Sequence, residues 1–238
     1  SSLIFSNARN INDQICALTA DFGEGDDARL RSTSLSETLD HKNHLIRNIS
    51  KKDVDHSLKL TSEICESPFD DTSIIPSNIV FSSVKDYGYS VALTGDGADE
   101  LFCGYSSFKN LKKMEIILDR RFDFLFRYSS KIFSNFISNY KGIDLARFFM
   151  FEDELLIDLM CNGFKKREWR NVIDTDYDPF DPIKNILYEL EGLRPLDKLR
   201  ILNLRFKLPY QMLYKVDRAS MFNSVEARPL FLNNKIID

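Results

Sequence analysis

In the first 105 positions, segments with apolar residues at helical spacing alternate with short apolar runs typical of strands. From Leu3 to Ile11 apolar residues recur at helical spacing, and the run "ICALTA" that follows is short, continuous and apolar, as in a strand covered on both faces. Further helical patterns alternate with two more strand-like runs, "HLIRNIS" and "YSVALT". Because parallel strands need a connecting helix between them, this alternation predicts an α/β fold built on a parallel sheet flanked by helices.

Small groups of apolar residues mark the helical faces. They are Leu3, Ile4, Ala8 and Ile11, then Ala28, Leu35 and Leu39, then Val54, Leu58, Thr61 and Cys65, and last Ile79, Val80, Val84 and Tyr87. After the last group, Gly88 is predicted to end the helix in the left-handed conformation.

A different pattern begins after Tyr105. Residues 106–195 contain long amphipathic segments rich in aromatic residues, such as "KIFSNFISNY" and "DELLIDLM", and they predict a helical insert without strands. Residues 196–238 return to helical spacing and predict a C-terminal all-helical region. There Pro209 is expected in the first turn of a helix that carries Met212, Leu213 and Val216.

Composition and charge narrow the class of protein. The chain has 238 residues, of which 43% are hydrophobic and 29% charged, and this predicts a globular protein with a substantial core. No apolar run approaches the roughly 20 residues that span a bilayer, and the net charge of −4 disfavours nonspecific nucleic-acid binding. Four cysteines without a C-x-x-C pair fit reduced thiols, so we expect a soluble cytoplasmic protein.

The stretch "LTGDGADELFCGY", from Leu93 to Tyr105, places three acids among glycines directly after a strand-like run. In open parallel sheets, ligands bind beyond the carboxyl ends of the strands. Asp99 and Glu100 fit the first turn of a following helix, where acids are favoured, but Asp96 between two glycines is not explained in this way. Three neighbouring carboxylates repel one another unless a cation is present, and Mg²⁺ binds through one or two carboxylates plus substrate phosphates. The motif therefore predicts nucleotide chemistry.

A second polar cluster lies in "KLPYQMLYKVDRASMFNSVEARPLFL". Lys215 and Arg218 are three residues apart, so they are neighbours on one side of a helix. Taken alone, "KVDR" favours a surface helix with ion pairs through Asp217 over a functional site.

Both clusters together resemble the asparagine synthetase family. "LTGDGADELFCGY" is similar to the family signature "LSGEGADELFGGY", and "LPYQMLYKVDRASMFNSVEARPLFL" is similar to "LPDDMLVKVDRASMAHSLEVRVPFLD". "ESPFDDTSIIP" and "CALTADFGE" resemble the family's "EPFADSSALP" and "TFSIGFE". The likeness covers essentially the whole chain, and it is strong at the two signatures and weak in residues 106–190.

The resemblance implies a synthetase domain over residues 1–238 with an adenine nucleotide alpha hydrolase-like fold. Residues 1–105 would form its nucleotide-binding core, 106–195 the helical insert, and 196–238 the helical segment that completes the active site. The expected cofactors are ATP and Mg²⁺. A glutaminase domain is expected N-terminal to the chain in the intact protein, and homodimer formation is left open.

The implied reaction is ATP-dependent amide formation. A carboxylate, first of all the aspartate side chain, is adenylated with release of pyrophosphate, and ammonia from glutamine then displaces AMP to give asparagine. Two alternatives keep this chemistry and change the acceptor: amidation of a sugar acid, or closure of an internal amide as in β-lactam and lasso-peptide synthetases. A third alternative is a degenerate relative without catalysis.

Charged site residues follow from the resemblance by their place in the motifs. Asp99 matches a Mg²⁺ ligand, and Glu100 matches a supporting acid. Asp96 matches the glutamate of the family's "GEG", which orients catalytic groups. Lys215 and Arg218 match the basic residues that support the phosphates and the transition state.

Nucleotide-binding residues follow in the same way. Thr94 and Gly95 match a Ser-Gly pair that contacts the nucleotide, and Ala20 matches a strand residue whose backbone contacts adenine. Ser1 and Ser2 match only the end of the S-G-G-x-D-S-S loop that holds pyrophosphate. We therefore expect the chain to be a fragment, and to be inactive by itself.

Several positions depart from the family pattern or stay open. Cys103 stands where the family has glycine, and Ser67 stands where it has an acid. For Asp71 two roles are equally open, the N-cap of a helix and membership of the site.

Overall fold

The computed structural model describes residues 2–23, 44–119, 152–161, 168 and 177–237. Numbered in chain order, the described helices are α1 (Ser2–Ile11), α2 (Lys51–Ile64), α3 (Ile74–Asp86), α4 (Ala98–Phe102), α5 (Ser106–Asp119), α6 (Glu152–Met160), α7 (Asp181–Glu189), α8 (Pro195–Leu202), α9 (Tyr214–Phe222) and α10 (Asn234–Ile237). The strands are β1 (Ala17–Asp21), β2 (His44–Asn48), β3 (Val91–Thr94) and β4 (Glu226–Pro229). A π-helix, Asn203–Leu213, joins α8 to α9, and a 3₁₀ turn, Leu230–Leu232, follows β4.

The chain folds into two compact units. The first unit consists of Ser1–Gly97 and Gln211–Asp238, and the second consists of Ala98–Tyr210. No helix in the described ranges is long and apolar enough to cross a membrane.

The first unit holds two pairs of parallel strands. β1 pairs with β2 from Ala17 opposite His44 to Asp21 opposite Asn48, and β3 pairs with β4 over four residues each. The predicted parallel pairing is confirmed, although the described strands form two separate pairs and not one continuous sheet.

Strand β4 corrects the prediction that residues 196–238 are all helical. Its four residues alternate between exposed and half-buried positions, and a strand this short carries too few side chains to show a period of two in the sequence. β3 also differs from expectation, because its apolar run "YSVALT" predicts a buried strand, whereas Val91 and Leu93 are exposed.

Local signals explain where the first unit's helices begin and end. α2 begins with a capping box, in which the Ser50 side chain accepts from the Asp53 N–H and the Asp53 carboxylate accepts from the Ser50 N–H. α3 ends where Gly88 adopts a φ of +83°, as predicted. The Gly88 N–H donates to the Lys85 carbonyl and the Tyr89 N–H to the Val84 carbonyl, which makes a Schellman motif.

Helical spacing predicted α1, α2 and α3 but did not always predict which face is buried. Leu3 and Ile11, on the apolar stripe of α1, are 64% and 88% exposed. On α2 the predicted stripe residue Leu58 is exposed, whereas Ser57 is buried. The helix predicted around Ala28, Leu35 and Leu39 and the segment "KIFSNFISNY" lie outside the described residues.

Each unit has its own hydrophobic core. In the first unit, side chains of α2, α3 and α9 pack together with the residue before β4: Ile64, Cys65, Ile74, Phe81, Val84, Val216, Ala219 and Val225. In the second unit, α5, α6, α7 and α8 bury a larger cluster: Phe108, Leu111, Leu155, Leu156, Ile157, Met160, Phe180, Ile183, Leu187, Leu199 and Leu202. The described parts of residues 106–195 hold the helices α5, α6 and α7 and the first residue of α8, and whether they form an insert stays a prediction.

Pro209 is not in the first turn of a helix, contrary to the prediction. It lies inside the 11-residue π-helix. Hydrogen bonds in a π-helix reach five residues back, so the carbonyl four residues before Pro209 is not aligned against the proline ring as it is in an α-helix. A pattern with α-helical spacing gave no sign of this wider turn.

Candidate active site

The glycine-rich turn after β3 is held open by one glycine in particular. Thr94 ends the strand, and Gly97 adopts a φ of +86° just before α4. A Cβ on Gly97 would lie 2.4 Å from Cδ2 of Leu232, so both the backbone conformation and the packing require glycine here. Gly95 and Asp96 lie between these two residues and are half-buried.

Thr94 offers an unused polar group at the carboxyl end of β3. Its hydroxyl oxygen is buried and has no hydrogen-bond partner within the described ranges. Buried hydroxyl groups are normally satisfied, so an unsatisfied one at the ligand-facing end of a parallel strand is suited to a bound ligand.

Asp99 and Glu100 lie in the first turn of α4, in the second unit, and their environments differ. Asp99 is exposed, and its Oδ1 atom lies close to Gly104. A Cβ on Gly104 would be 1.9 Å from this oxygen. Glu100 is only 2% exposed, and its Oε1 accepts a hydrogen bond from the Tyr105 hydroxyl. The ammonium group of Lys207 lies 4.5 Å from the centre of the Tyr105 ring. One acid thus faces solvent while its neighbour is held inside the unit.

Lys215 is the most deeply placed basic residue of the predicted site. It lies on α9, is 8% exposed, and donates from Nζ to the Ser73 hydroxyl at 2.7 Å and to Asp71 Oδ2 at 3.2 Å. A buried ammonium group is costly unless it is paired, and here both partners come from the segment that leads into α3. The surface-helix interpretation is therefore wrong for Lys215, whereas Asp217 beside it is exposed.

Asp71 is not the N-cap of α3, because Ser73 occupies that position, and its membership of the site stays a prediction. Its Oδ1 atom accepts from the Ser73 N–H at 2.9 Å and from the Ser73 hydroxyl, which fixes the turn before α3, while Oδ2 faces Lys215. Burial by itself raises the pKa of Asp71, but the hydrogen bonds from Ser73 and the charge of Lys215 outweigh it, so the pKa lies below its ordinary value. Asp71 is therefore an anionic partner for Lys215 at neutral pH.

Arg218 is fixed by an acid and an aromatic ring. Its Nη1 atom donates to Glu66 Oε1 at 3.0 Å, and the guanidinium carbon lies 5.3 Å from the centre of the Tyr214 ring. The Tyr214 ring in turn packs against Phe69 at a centroid distance of 5.3 Å. The Nε atom of Arg218 is buried and makes no hydrogen bond to any described residue.

Glu66 also accounts for one departure from the family pattern. The family's acid is replaced by Ser67, but the carboxylate of the preceding residue pairs with Arg218. The sequence had not identified Glu66 or Ser73 as members of the site, because both contact α9 across more than 140 residues of chain.

Of three further predicted residues, Ala20 and Ser2 lie in described elements, and Ser1 does not. Ala20 is half-buried on β1, opposite Arg47 of β2. The next residue, Asp21, is buried, and its Oδ1 atom accepts from the Gly23 N–H at 2.9 Å. Ser2 is the first residue of α1, and Ser1 lies outside the described residues.

The structure thus groups the predicted residues within its two units. In the first unit, Lys215 and Arg218 both contact the segment between α2 and α3, and Thr94, Gly95 and Asp96 follow β3. Asp99 and Glu100 belong to the second unit. No group of three His, Cys, Asp or Glu side chains that could hold a metal is found among the residues the structure describes, so Asp99 as a Mg²⁺ ligand stays a prediction.

The described residues form a mixed α/β fold, and polar residues follow the carboxyl end of the parallel strand β3, which is where ligands bind in open α/β sheets. The sequence model of the asparagine synthase family matches residues 1–238, so the chain belongs to the asparagine synthase family. Membership implies an ATP-dependent ligase that forms amides. Neither a curated protein nor a solved structure matches the chain.

Proposed function

We propose that this chain is the synthetase domain of a glutamine-hydrolysing asparagine synthetase, which adenylates the side chain of aspartate and transfers ammonia to it. The buried ion pair of Lys215 with Asp71 is the observation that carries the proposal. An isolated buried ammonium group is destabilising, and an apolar residue would fill its place at least as well, so its presence is better explained by chemistry than by stability.

The reaction needs positive charge where pyrophosphate leaves. The aspartate carboxylate attacks the α-phosphorus of ATP, and the bond to the bridging oxygen of pyrophosphate breaks, so negative charge grows on the leaving group. Lys215 and Arg218 supply cations that are already held in place by Ser73, Asp71 and Glu66, and such preorganised groups stabilise a transition state without reorganisation.

Ammonia then attacks the acyl carbon, AMP leaves, and the incoming nitrogen loses a proton. Asp96, on the turn after β3, would orient this step, and Glu100 would support Asp99 from its buried position. Thr94, Gly95 and the backbone of Ala20 would contact the nucleotide, with Ser1 and Ser2 at the end of a pyrophosphate loop. Mg²⁺, when bound through Asp99, neutralises phosphate charge.

Finer features belong to the same proposal. They are an adenine nucleotide alpha hydrolase-like fold, a glutaminase domain N-terminal to this chain that supplies ammonia, and a cytoplasmic location. The parallel strand pairs support the fold, and four cysteines without a C-x-x-C pair support the location. The glutaminase domain follows from the resemblance of the two signatures.

Pyrophosphate release by the intact protein tests the function. With ATP, Mg²⁺ and aspartate, we expect Lys215→Met to lower kcat for pyrophosphate release by about 10²- to 10³-fold, the usual effect of removing one preorganised charge. Lys59→Met, which removes an exposed lysine of α2, is the matched control and should leave kcat unchanged. Equal rates in wild type and Lys215→Met would contradict the role of Lys215.

The metal role has its own test. Asp99→Asn is expected to abolish Mg²⁺-dependent turnover while changing stability little, because Asp99 is exposed. Turnover with an unchanged Mg²⁺ dependence would contradict Asp99 as the ligand. Product formation from a sugar acid, and not from aspartate, would keep the chemistry and change the acceptor.

A further inference from the structure

Buried and half-buried polar side chains connect three helices of the first unit at the opposite end of α9 from Lys215. Asn223, the residue after α9, donates from its side-chain amide to Asn78 Oδ1 on α3 at 2.8 Å. Asn78 donates to the Ser57 hydroxyl on α2 at 3.0 Å, and Ser57 donates to the carbonyl of Ile75 at 3.2 Å. We call Asn223, Asn78 and Ser57 the amide network.

The amide network has one satisfied arrangement. Asn223 also donates to the Ala219 carbonyl at 2.8 Å, so its amide nitrogen serves two acceptors on two helices. Ser57 and Asn78 are both buried. Because a buried polar group that loses its partner is strongly destabilising, the donors and acceptors of the network define a single alignment of the three helices.

Two of the polar contacts that fix α9 on α3 lie at opposite ends of α9, and the network is the second of them. The first is the contact of Lys215 with Ser73 at the start of α3. Lys215 and Asn223 are eight residues apart, which is about 12 Å along a helix, so the two contacts together prevent both sliding and rotation. Between them Ala219 is fully buried, and its small side chain allows close approach of the helices without setting their alignment.

The exit from α9 adds a further constraint. Ser224 adopts a φ of +55°, and the N–H groups of Ser224 and Val225 donate to the carbonyls of Met221 and Ser220. A residue with a side chain keeps this conformation only where its surroundings enforce it. The amide network supplies that enforcement on the side of α3.

We propose that Asn223 and Asn78 are positioning residues for Lys215 and Arg218. They hold α9 in the one alignment in which both basic groups reach their partners between α2 and α3. The catalytic part of this inference rests on the proposed function, whereas the structural part, that Asn223 controls the placement of Lys215, does not.

Chemical labelling tests the structural part. In the full protein, acylation of lysines by an N-hydroxysuccinimide ester, read by mass spectrometry, should modify Lys215 about fivefold faster in Asn223→Ala than in wild type, the effect of losing one typical hydrogen bond on local opening. Asn203→Ala is the matched control, because Asn203 is buried and donates to the carbonyl four residues earlier, as Asn223 does, but belongs to the second unit. Unchanged labelling, or an equal rise in both variants, would overturn the inference.

Kinetics test the catalytic part. Asn223→Ala should lower kcat for pyrophosphate release about tenfold and leave KM for ATP within about twofold, because misplaced groups act mainly in the transition state. In a Lys215→Met background the same substitution should lower kcat by clearly less than tenfold, because the part of its effect that acts through Lys215 is already lost and only the part through Arg218 remains. If Asn223→Ala lowers kcat by the same factor in wild type and in the Lys215→Met background, the catalytic role of Asn223 is wrong. If wild type releases no pyrophosphate, the proposed function fails, and labelling alone decides whether Asn223 positions Lys215.

Discussion

Cys103 adopts a backbone conformation that residues with a Cβ atom normally avoid. Its φ of +57° lies in the left-handed region, which costs a residue with a Cβ about 1 to 2 kcal/mol. Glycine adopts this conformation without that cost but loses more entropy on folding, so we expect Cys103→Gly to raise the free energy of unfolding by about 0.5 to 1 kcal/mol. Urea unfolding at neutral pH measures the gain.

Cys103→Ala separates backbone strain from the chemistry of the thiol. Alanine keeps the Cβ and removes the sulfur, so no stabilisation is expected. A gain of the same size in the alanine variant would place the cause in side-chain packing and not in the backbone.

Asp71 makes stability depend on pH. Because its pKa is depressed in the folded state, its contribution is fully present above the ordinary carboxyl pKa of about 3.9 and is lost as the pH falls through the lower folded value. Asp71→Asn leaves Lys215 buried without its counter-charge, so we expect a loss of about 3 kcal/mol at pH 7. The difference from wild type should shrink as unfolding is measured below pH 4.

Glu226→Gln is the control for the Asp71 substitution. It also removes a carboxylate with a depressed pKa, which results from the hydrogen bonds and charge of Arg228, but this pair is exposed. A much smaller loss at pH 7 is expected. If both variants lose the same stability, burial of the Lys215 pair is not the reason for the effect.

At the scale of elements, the capping box of α2 provides a local test. Ser50→Ala removes the side chain that accepts from the Asp53 N–H, and we expect it to lower the free energy of unfolding by about 1 kcal/mol. Ser62→Ala, on the exposed side of the same helix, should be neutral or slightly stabilising because alanine favours helix. Thermal unfolding of both variants measures the difference.

Sequence patterns predicted the elements that depend on residues close together in the chain. β1 lies in a continuous apolar run, and α3 ends at a glycine whose role depends only on its neighbours. The sequence does not predict β4, because four residues cannot display a strand period. It does not predict the π-helix either, because the apolar spacing there also fits an α-helix. The apolar stripe of α1 is exposed, so periodicity predicts a helix but not whether its apolar face is buried.

The site was predicted only in part for a similar reason. The resemblance indicated Lys215 and Arg218, but their partners Asp71, Ser73 and Glu66 lie between 142 and 152 residues away in the chain. Contacts over such separations depend on tertiary packing, which no periodicity records. The sequence does not predict the amide network of Asn223, Asn78 and Ser57, because asparagine and serine are mostly exposed in proteins.

At the scale of the whole molecule, each unit has its own core, and each core can be tested separately. Leu199 on α8 is fully buried in the second unit, so Leu199→Ala should lower the free energy of unfolding by about 3 kcal/mol. Hydrogen exchange should show the loss of protection in α5, α6 and α8. Leu58→Ala, at an exposed position of α2, should have a small effect; an equal effect would mean that burial does not decide stability here.

The close contact between Gly97 and Leu232 has an evolutionary consequence. The hydrogen of the glycine leaves the only room for the leucine, although the two residues are 135 positions apart. Because the backbone at position 97 also has a φ of +86°, glycine should be kept there among related sequences, and a larger residue should occur only together with both a smaller one at position 232 and a changed turn. Covariation between positions 97 and 232 in an alignment would show that the turn and the C-terminal segment have evolved together.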